Sequence, residues 1–240
     1  MIGVSRRPAM IGASRRPAMI GPCRQLRGES GTALFLAVVL VMLLTAVGLA
    51  AILASHAETL IAANFRQSRE ALYVADGATA RMMKDLADLA DWSAALSGVA
   101  TSTFIDGPAD VQKTLPGGGR VVLCCGPASL TADVQLRGNG GGDWGLDTPQ
   151  WKLYGWGPAS AWSAGDRIQS VFYIVVWVSD DAADGDGDPS ADSNGTVVLN
   201  GLAIGPAGAR RAVRAEVQRA LGAEGQPRGV RLRSWRESRW

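Results

Sequence analysis

Asp184, Asp186 and Asp188 stand in alternate places inside the run DDAADGDGDPSADSNG, from Asp180 to Gly195. Carboxylates at that spacing can converge on one calcium ion, since hard oxygen ligands suit a hard divalent cation. Asp180, Asp181 and Asp192 add further carboxylates to the same run. The pattern is not that of an EF-hand, because Pro189 takes the place of its glycine and Gly195 the place of its glutamate. The other reading of this composition is a solvated hairpin loop that binds nothing.

Other chemistry has little to work with. The single histidine, His56, lies two residues past the end of a long apolar run; no Gly-x-Ser-x-Gly occurs, and no Cys/His set has zinc spacing. The glycine runs at 117–119 and 138–142 lack a following Lys-Ser/Thr, so they read as turns and not as phosphate cradles. No catalytic residues and no required cofactor are expected, with calcium the one candidate ion. Cys124 and Cys125 are adjacent; a vicinal disulfide, a bond to another chain and two free buried thiols all remain open. Eight tryptophans, among them Trp144, Trp151, Trp156, Trp162 and Trp177, suit either an adhesive interface or ordinary core packing.

The elements that position these residues begin with ALFLAVVLVMLLTAVGLAAILA, residues 33–54, which carries no charge. Twenty-two residues in a helix span about 33 Å, enough for a hydrocarbon core of about 30 Å. The run is also longer than the apolar region of a cleavable secretory signal. Arg6, Arg7, Arg15, Arg16, Arg24 and Arg27 precede it, whereas His56 and Glu58 follow. By the positive-inside rule the N-terminus is cytoplasmic and the rest is exported from an inner membrane. Nine arginines lie between Arg210 and Arg239, so the net charge of +2 belongs mostly to the two ends; no nucleic-acid partner is inferred from it.

The opening residues form a tandem repeat, MIGVSRRPA then MIGASRRPA, with a decayed third copy at Met19. Translation could therefore start at Met1, Met10 or Met19. Beyond the apolar run, Ile61, Phe65, Ser68, Leu72, Ala75, Thr79, Met82, Leu86 and Leu89 recur in steps of three and four, the stripe of one helix face. This predicts one helix from Thr32 to about Leu96, roughly 95 Å long at about 1.5 Å per residue. Short β-prone runs follow at 120–125, 132–137, 151–157, 168–178, 195–204 and 212–220, with 170–180 apolar on both faces and hence interior. The expected organisation is a basic leader over 1–31, a helix over 32–97 (spanning at 33–54, amphipathic at 55–97), a β-rich exported domain over 98–221 and a disordered Arg-rich tail over 222–240. The fold class is α+β, a long N-terminal helix followed by a mainly antiparallel sheet.

The junction RGESGTALFLAVVLVMLLTAVGLA resembles a class III signal peptide, in which a short basic leader ends in glycine directly before the apolar helix. The segment ETLIAANFRQSREALYVADGATARMMKDL, residues 58–86, resembles the N-terminal region of PilX-type minor pilins, carried by Asn64, Phe65, Arg66, Ala71, Leu72, Tyr73, Ala75 and Asp76. The resemblance implies cleavage by the prepilin peptidase between Gly31 and Thr32, with Gly28 and Glu29 the second choice, and N-methylation of Thr32. It also implies partners: other pilin subunits through the helix, membrane lipid, and at a filament end a tip adhesin. Major pilins carry glutamate at the fifth mature place; here that place is Leu36, and cleavage after Gly28 would put Ala33 there. A minor, assembling or capping subunit of a type IV pilus or related secretion filament is therefore expected. The alternative is a single-pass envelope protein whose exported domain binds a ligand or calcium outside any filament, and a membrane-anchored enzyme stands third.

Overall fold

A computed structural model of the chain describes residues 30–138, 148–162, 170–220, 229–238 and 240. The tandem repeat, Cys23, Gly28, Glu29 and Trp144 lie outside the described residues. The chain divides into two units, Met1–His56 and Ala57–Trp240.

Helix α1, Ser30–Ala87, is continuous and contributes to both units. Within the first unit every described side chain from Gly31 to His56 is exposed. Thr45, in the middle of the apolar run, donates its hydroxyl to the carbonyls of Val41 (2.9 Å) and Met42 (2.8 Å). Its polar group is thereby satisfied inside the helix, as a hydrocarbon environment requires.

In the second unit α1 packs on a five-stranded antiparallel sheet in the order β3-β4-β5-β6-β7. The strands are β3 (Lys152–Pro158), β4 (Tyr173–Asp180), β5 (Thr196–Ile204), β6 (Arg210–Ala220) and β7 (Gly229–Ser238). A small antiparallel pair, β1 (Lys113–Thr114) with β2 (Arg120–Val121), stands apart from it. Side-chain alternation sorts the sheet into two cores. Ile174, Val176, Val178, Val197, Leu199, Val213, Ala215 and Val217 face Ala71, Ala75, Ala78, Met82 and Leu86 of α1. Tyr173, Val175, Trp177, Val198, Leu202 and Ile204 face Leu123, Leu130 and Val134 on the other side. β4 is buried along its whole length, as its two-sided apolar pattern predicts.

Small residues set how closely α1 approaches the sheet. A methyl group added at Gly201 would stand 2.6 Å from Thr79 Oγ1 and 3.1 Å from the Ala75 carbonyl oxygen, and one at Gly155 would stand 2.6 Å from Met82 Sδ. Both glycines serve here for their lack of a side chain.

Four sequence expectations are corrected. The helix ends at Ala87 and not near Leu96: Trp92 turns in, is buried, and donates its indole N–H to the Leu86 carbonyl at 2.8 Å, so the helix end is satisfied by a side chain. A separate short turn, α2 (Ser93–Leu96), follows. The run 132–137, read as a strand, lies in helix α3 (Leu130–Gly138); Ser129 Oγ accepts the Ala132 N–H, and Asp133 pairs with Arg137 at 2.9 Å. The expected strand 120–125 stops at Val121, and Cys124 and Cys125 are joined in a vicinal disulfide, with Cys125 at a φ of 74°. Finally, residues 229–238 of the tail form β7, paired along β6 from Ala220↔Gly229 to Ala212↔Ser238. Mainly charged and polar side chains on an edge strand hid this one from a composition-based reading.

Gly201→Ala is expected to lower unfolding stability by about 1–3 kcal/mol through overpacking against α1. Gly126→Ala, where an added methyl meets nothing within 4 Å, should stay within about 0.5 kcal/mol of wild type. Thermal or denaturant unfolding of the full chain in detergent checks both.

Candidate functional site: an uncovered helix surface

Where α1 leaves the sheet its composition changes. Every residue from Gly31 to Arg66 is exposed, and from Ala71 onward one face is buried. In the first unit the exposed residues include Leu34, Phe35, Leu36, Val41, Met42 and Leu49 of the charge-free run; in the second unit Leu60, Ile61 and Phe65 are exposed. Ile61 and Phe65 begin the stripe expected to pack on the domain. Phe65, however, is 63% exposed, and the buried face starts later, with Ala71, Ala75 and Ala78. Large apolar side chains in water forfeit about 1.5–3 kcal/mol each relative to burial, so these residues favour an apolar environment over water.

The residues that carry the PilX resemblance fall into two sets. Ala71 and Ala75 are fully buried and Leu72 is half-buried against the sheet, so their part is packing. Asn64, Phe65, Arg66 and Tyr73 are exposed, with the Arg69 guanidinium 5.3 Å from the Phe65 ring centroid. Asp76 accepts the indole N–H of Trp235 at 2.7 Å, which ties β7 to the helix. Nearby, Arg211 donates to Ser68 Oγ at 2.7 Å and pairs with Glu237 at 3.2 Å. Gly31 and Thr32 both lie in the first turns of α1, and among the described residues nothing lies within 4 Å of a side chain added at Gly31.

The far end of α1 is held by a polar cluster that no sequence pattern marks. Asp85 accepts from Arg81 Nε (3.3 Å), from the Thr103 N–H and hydroxyl (3.2 Å each) and from the Ser102 hydroxyl. Burial works against ionisation of Asp85. The Ser102 hydroxyl, the Arg81 charge and the remaining hydrogen bonds outweigh it and hold the carboxyl below its usual range. The segment 102–106 in turn borders β3, with Ser102 N donating to Tyr154 O at 2.7 Å and Trp156 N to Phe104 O at 3.0 Å. Helix end, segment and sheet edge thus form one connected network.

The aspartate run divides differently from its spacing. Asp186 and Asp188 are exposed and accept from backbone N–H groups two residues on, Asp188 N at 2.8 Å and Ser190 N at 3.0 Å, as ordinary Asx turns. Asp184 is buried and gathers with Asp180 and Asp192, one carboxylate oxygen of each lying within 4.8 Å of the others. Burial, then the nearby Asp184 charge, push Asp180 up to about 7. Of the tryptophans, Trp151, Trp156 and Trp177 are buried and Trp162 is half-buried, so these serve packing.

Residues 30–80 match the family model described as PilX N-terminal. The match ends within α1 and includes none of the sheet. Comparison with curated proteins and with solved structures gives no match. The N-terminal segment is thus similar to that of PilX-type pilins, a structural family, and it carries a helix long and apolar enough to cross a membrane.

Asp85→Ala is expected to cost about 1.5–3 kcal/mol at neutral pH, the worth of hydrogen bonds to a charged group. With its folded pKa below the ordinary 3.8, Asp85 lends stability that is present above that value and lost as pH falls through the lower folded one. Unfolding curves of wild type and variant should therefore converge in strong acid.

Proposed function

We propose that this chain is a minor pilin-like subunit that takes part in assembling or capping a type IV pilus or a related secretion filament. The observation that carries this reading is the uncovered apolar surface of α1 inside a segment of PilX type, running from the membrane-length stretch through Leu60, Ile61 and Phe65. One surface can serve two partners in turn. In the inner membrane it meets lipid, and in a filament it meets the helices of other pilins, which are just as apolar. Moving between them exposes no large apolar area to water at either stage.

In this reading the prepilin peptidase cuts between Gly31 and Thr32 on the cytoplasmic side, Thr32 is methylated, and the sheet domain is exported. Leu36 then occupies the fifth mature place, where a glutamate would need a charged partner in an apolar environment. A subunit without that carboxylate can join a filament end without the pairing that a repeating shaft uses. This favours a priming or capping position, where the sheet domain can meet a tip adhesin. The chemistry is binding, and no catalytic step is assigned to the chain.

Mass spectrometry of the mature N-terminus, from cells with and without a prepilin peptidase, tests the reading. The expected product is a chain beginning at N-methylated Thr32 that appears only with the peptidase. An intact leader in both strains would reduce the helix to a plain membrane anchor.

A second prediction concerns the surface itself. Phe65→Asp should leave the thermal midpoint of the purified chain within about 2 °C, since an exposed position contributes little to stability. It should lower recovery of the subunit in sheared filament fractions several-fold. Unchanged recovery would exclude this part of α1 from the subunit contact.

A further inference from the structure

The carboxylates that close the loop between β4 and β5 do more than its turns require. Asp184 has its own partners: it accepts the Ser193 N–H at 2.8 Å and the Ser193 hydroxyl. Asp192 Oδ1 accepts the N–H groups of Gly195 (2.7 Å) and Thr196 (3.1 Å), which caps the start of β5. Asp180, the last residue of β4, differs. It is only 5% exposed, its fully buried Oδ1 has no hydrogen-bond partner among the described residues, and one of its carboxylate oxygens lies within 4.8 Å of one from each of the other two.

Among the described residues, the cation paired with this cluster is insufficient for it. Arg219 Nη2 lies 3.9 Å from Asp192 Oδ2, while Nη1 is committed to the Ala90 carbonyl at 2.6 Å and the guanidinium lies over the Trp92 ring at 4.7 Å. That guanidinium pairs with Asp192, and no ion pair among the described residues reaches Asp180 or Asp184, both of them buried. A buried charge, and a buried oxygen that accepts nothing, are both costly unless a counter-charge occupies the space between them.

We propose that Asp180, Asp184 and Asp192 bind one calcium ion at the base of the β4–β5 loop. Calcium bonds oxygen at about 2.3–2.6 Å, so oxygens up to about 4.6–5.2 Å apart can reach one ion, and these three lie within 4.8 Å of one another. Magnesium demands a near-ideal octahedron and keeps several of its waters, so a site of three protein carboxylates suits calcium better. The ion ties the end of β4 to the start of β5. Because Asp192 N donates to Ser93 Oγ (3.2 Å) and Arg219 holds Ala90 O, it also steadies the turn after α1. The site goes beyond the filament reading and stands or falls separately from it, since ion binding is measured on the isolated chain.

The test is isothermal titration of the chelator-treated full chain, in detergent, with calcium chloride, alongside thermal unfolding with and without the ion. One saturable site is expected, with a Kd in the range of about 10⁻⁵–10⁻³ M and an upward shift of the unfolding midpoint. Asp180→Asn keeps the side-chain shape and should weaken binding at least tenfold while the circular dichroism spectrum stays that of wild type. Asp186→Asn, on an exposed turn, should bind as wild type does. Absence of saturable heat from the wild-type chain overturns the proposal, as does unchanged affinity in Asp180→Asn. Loss of binding in Asp186→Asn would instead place the ion on the alternate carboxylates, and magnesium binding as tightly as calcium would overturn the choice of ion.

Discussion

The seating of α1 on the sheet is the contact on which the second unit depends. Ala71, Ala75 and Ala78 bring the helix backbone close, Gly201 and Gly155 make room beneath it, and the valines of β4, β5 and β6 fill the space on either side. Close approach multiplies weak dispersion contacts and excludes water from the whole α1 face of the sheet. The price is intolerance, because a single methyl at Gly201 collides with the Thr79 hydroxyl, itself held on the Ala75 carbonyl, and crowds that carbonyl as well. The other face needs no comparable precision from a long helix, since α3 and the segment around Leu123 cover it.

The same helix meets a second constraint along its length. From Gly31 to Arg66 every side chain is exposed, and up to Ser55 it has no charge; from Ala71 it alternates buried alanine with exposed Tyr73, Asp76 and Lys84. Thr45 satisfies its own hydroxyl on helix carbonyls, while Asp85 and Asp76 gather partners from other segments. Polar groups are therefore handled locally where only apolar surroundings are available, and through tertiary contacts where a domain supplies donors. That division follows from the cost of an unpaired polar group in each medium.

Sequence patterns carried the first of these constraints well and the second in part. A charge-free run followed by a three- and four-step stripe is a strong helical signal, and Leu72, Ala75, Thr79, Met82 and Leu86 do lie on the packed face. The end of α1 was not legible, because neither glycine nor proline marks it and a tryptophan five residues further on completes it. Short alternating runs are ambiguous by nature: Ala132–Arg137 suits a strand by alternation, and the cap at Ser129 with the Asp133–Arg137 pair makes it a helix. The strand in the tail was hidden because an edge strand needs little burial, so arginines and serines serve in it as well as valines do.

The aspartate run shows the same limit from the side of chemistry. Alternate spacing measures distance along the chain, and it groups Asp184 with Asp186 and Asp188. Distance in space depends on where β4 stops and where β5 begins, and pairing of Asp180 with Val197 across those strands brings both ends of the loop together. Asp180 is then fixed at a strand end and Asp192 at a cap, while Asp186 and Asp188 are spent on their own turns. Rigid elements, and not the loop between them, thus decide which carboxylates meet. Such preorganisation lowers the cost of assembling a charged site, because the conformational entropy of its ligands is already lost when the sheet forms.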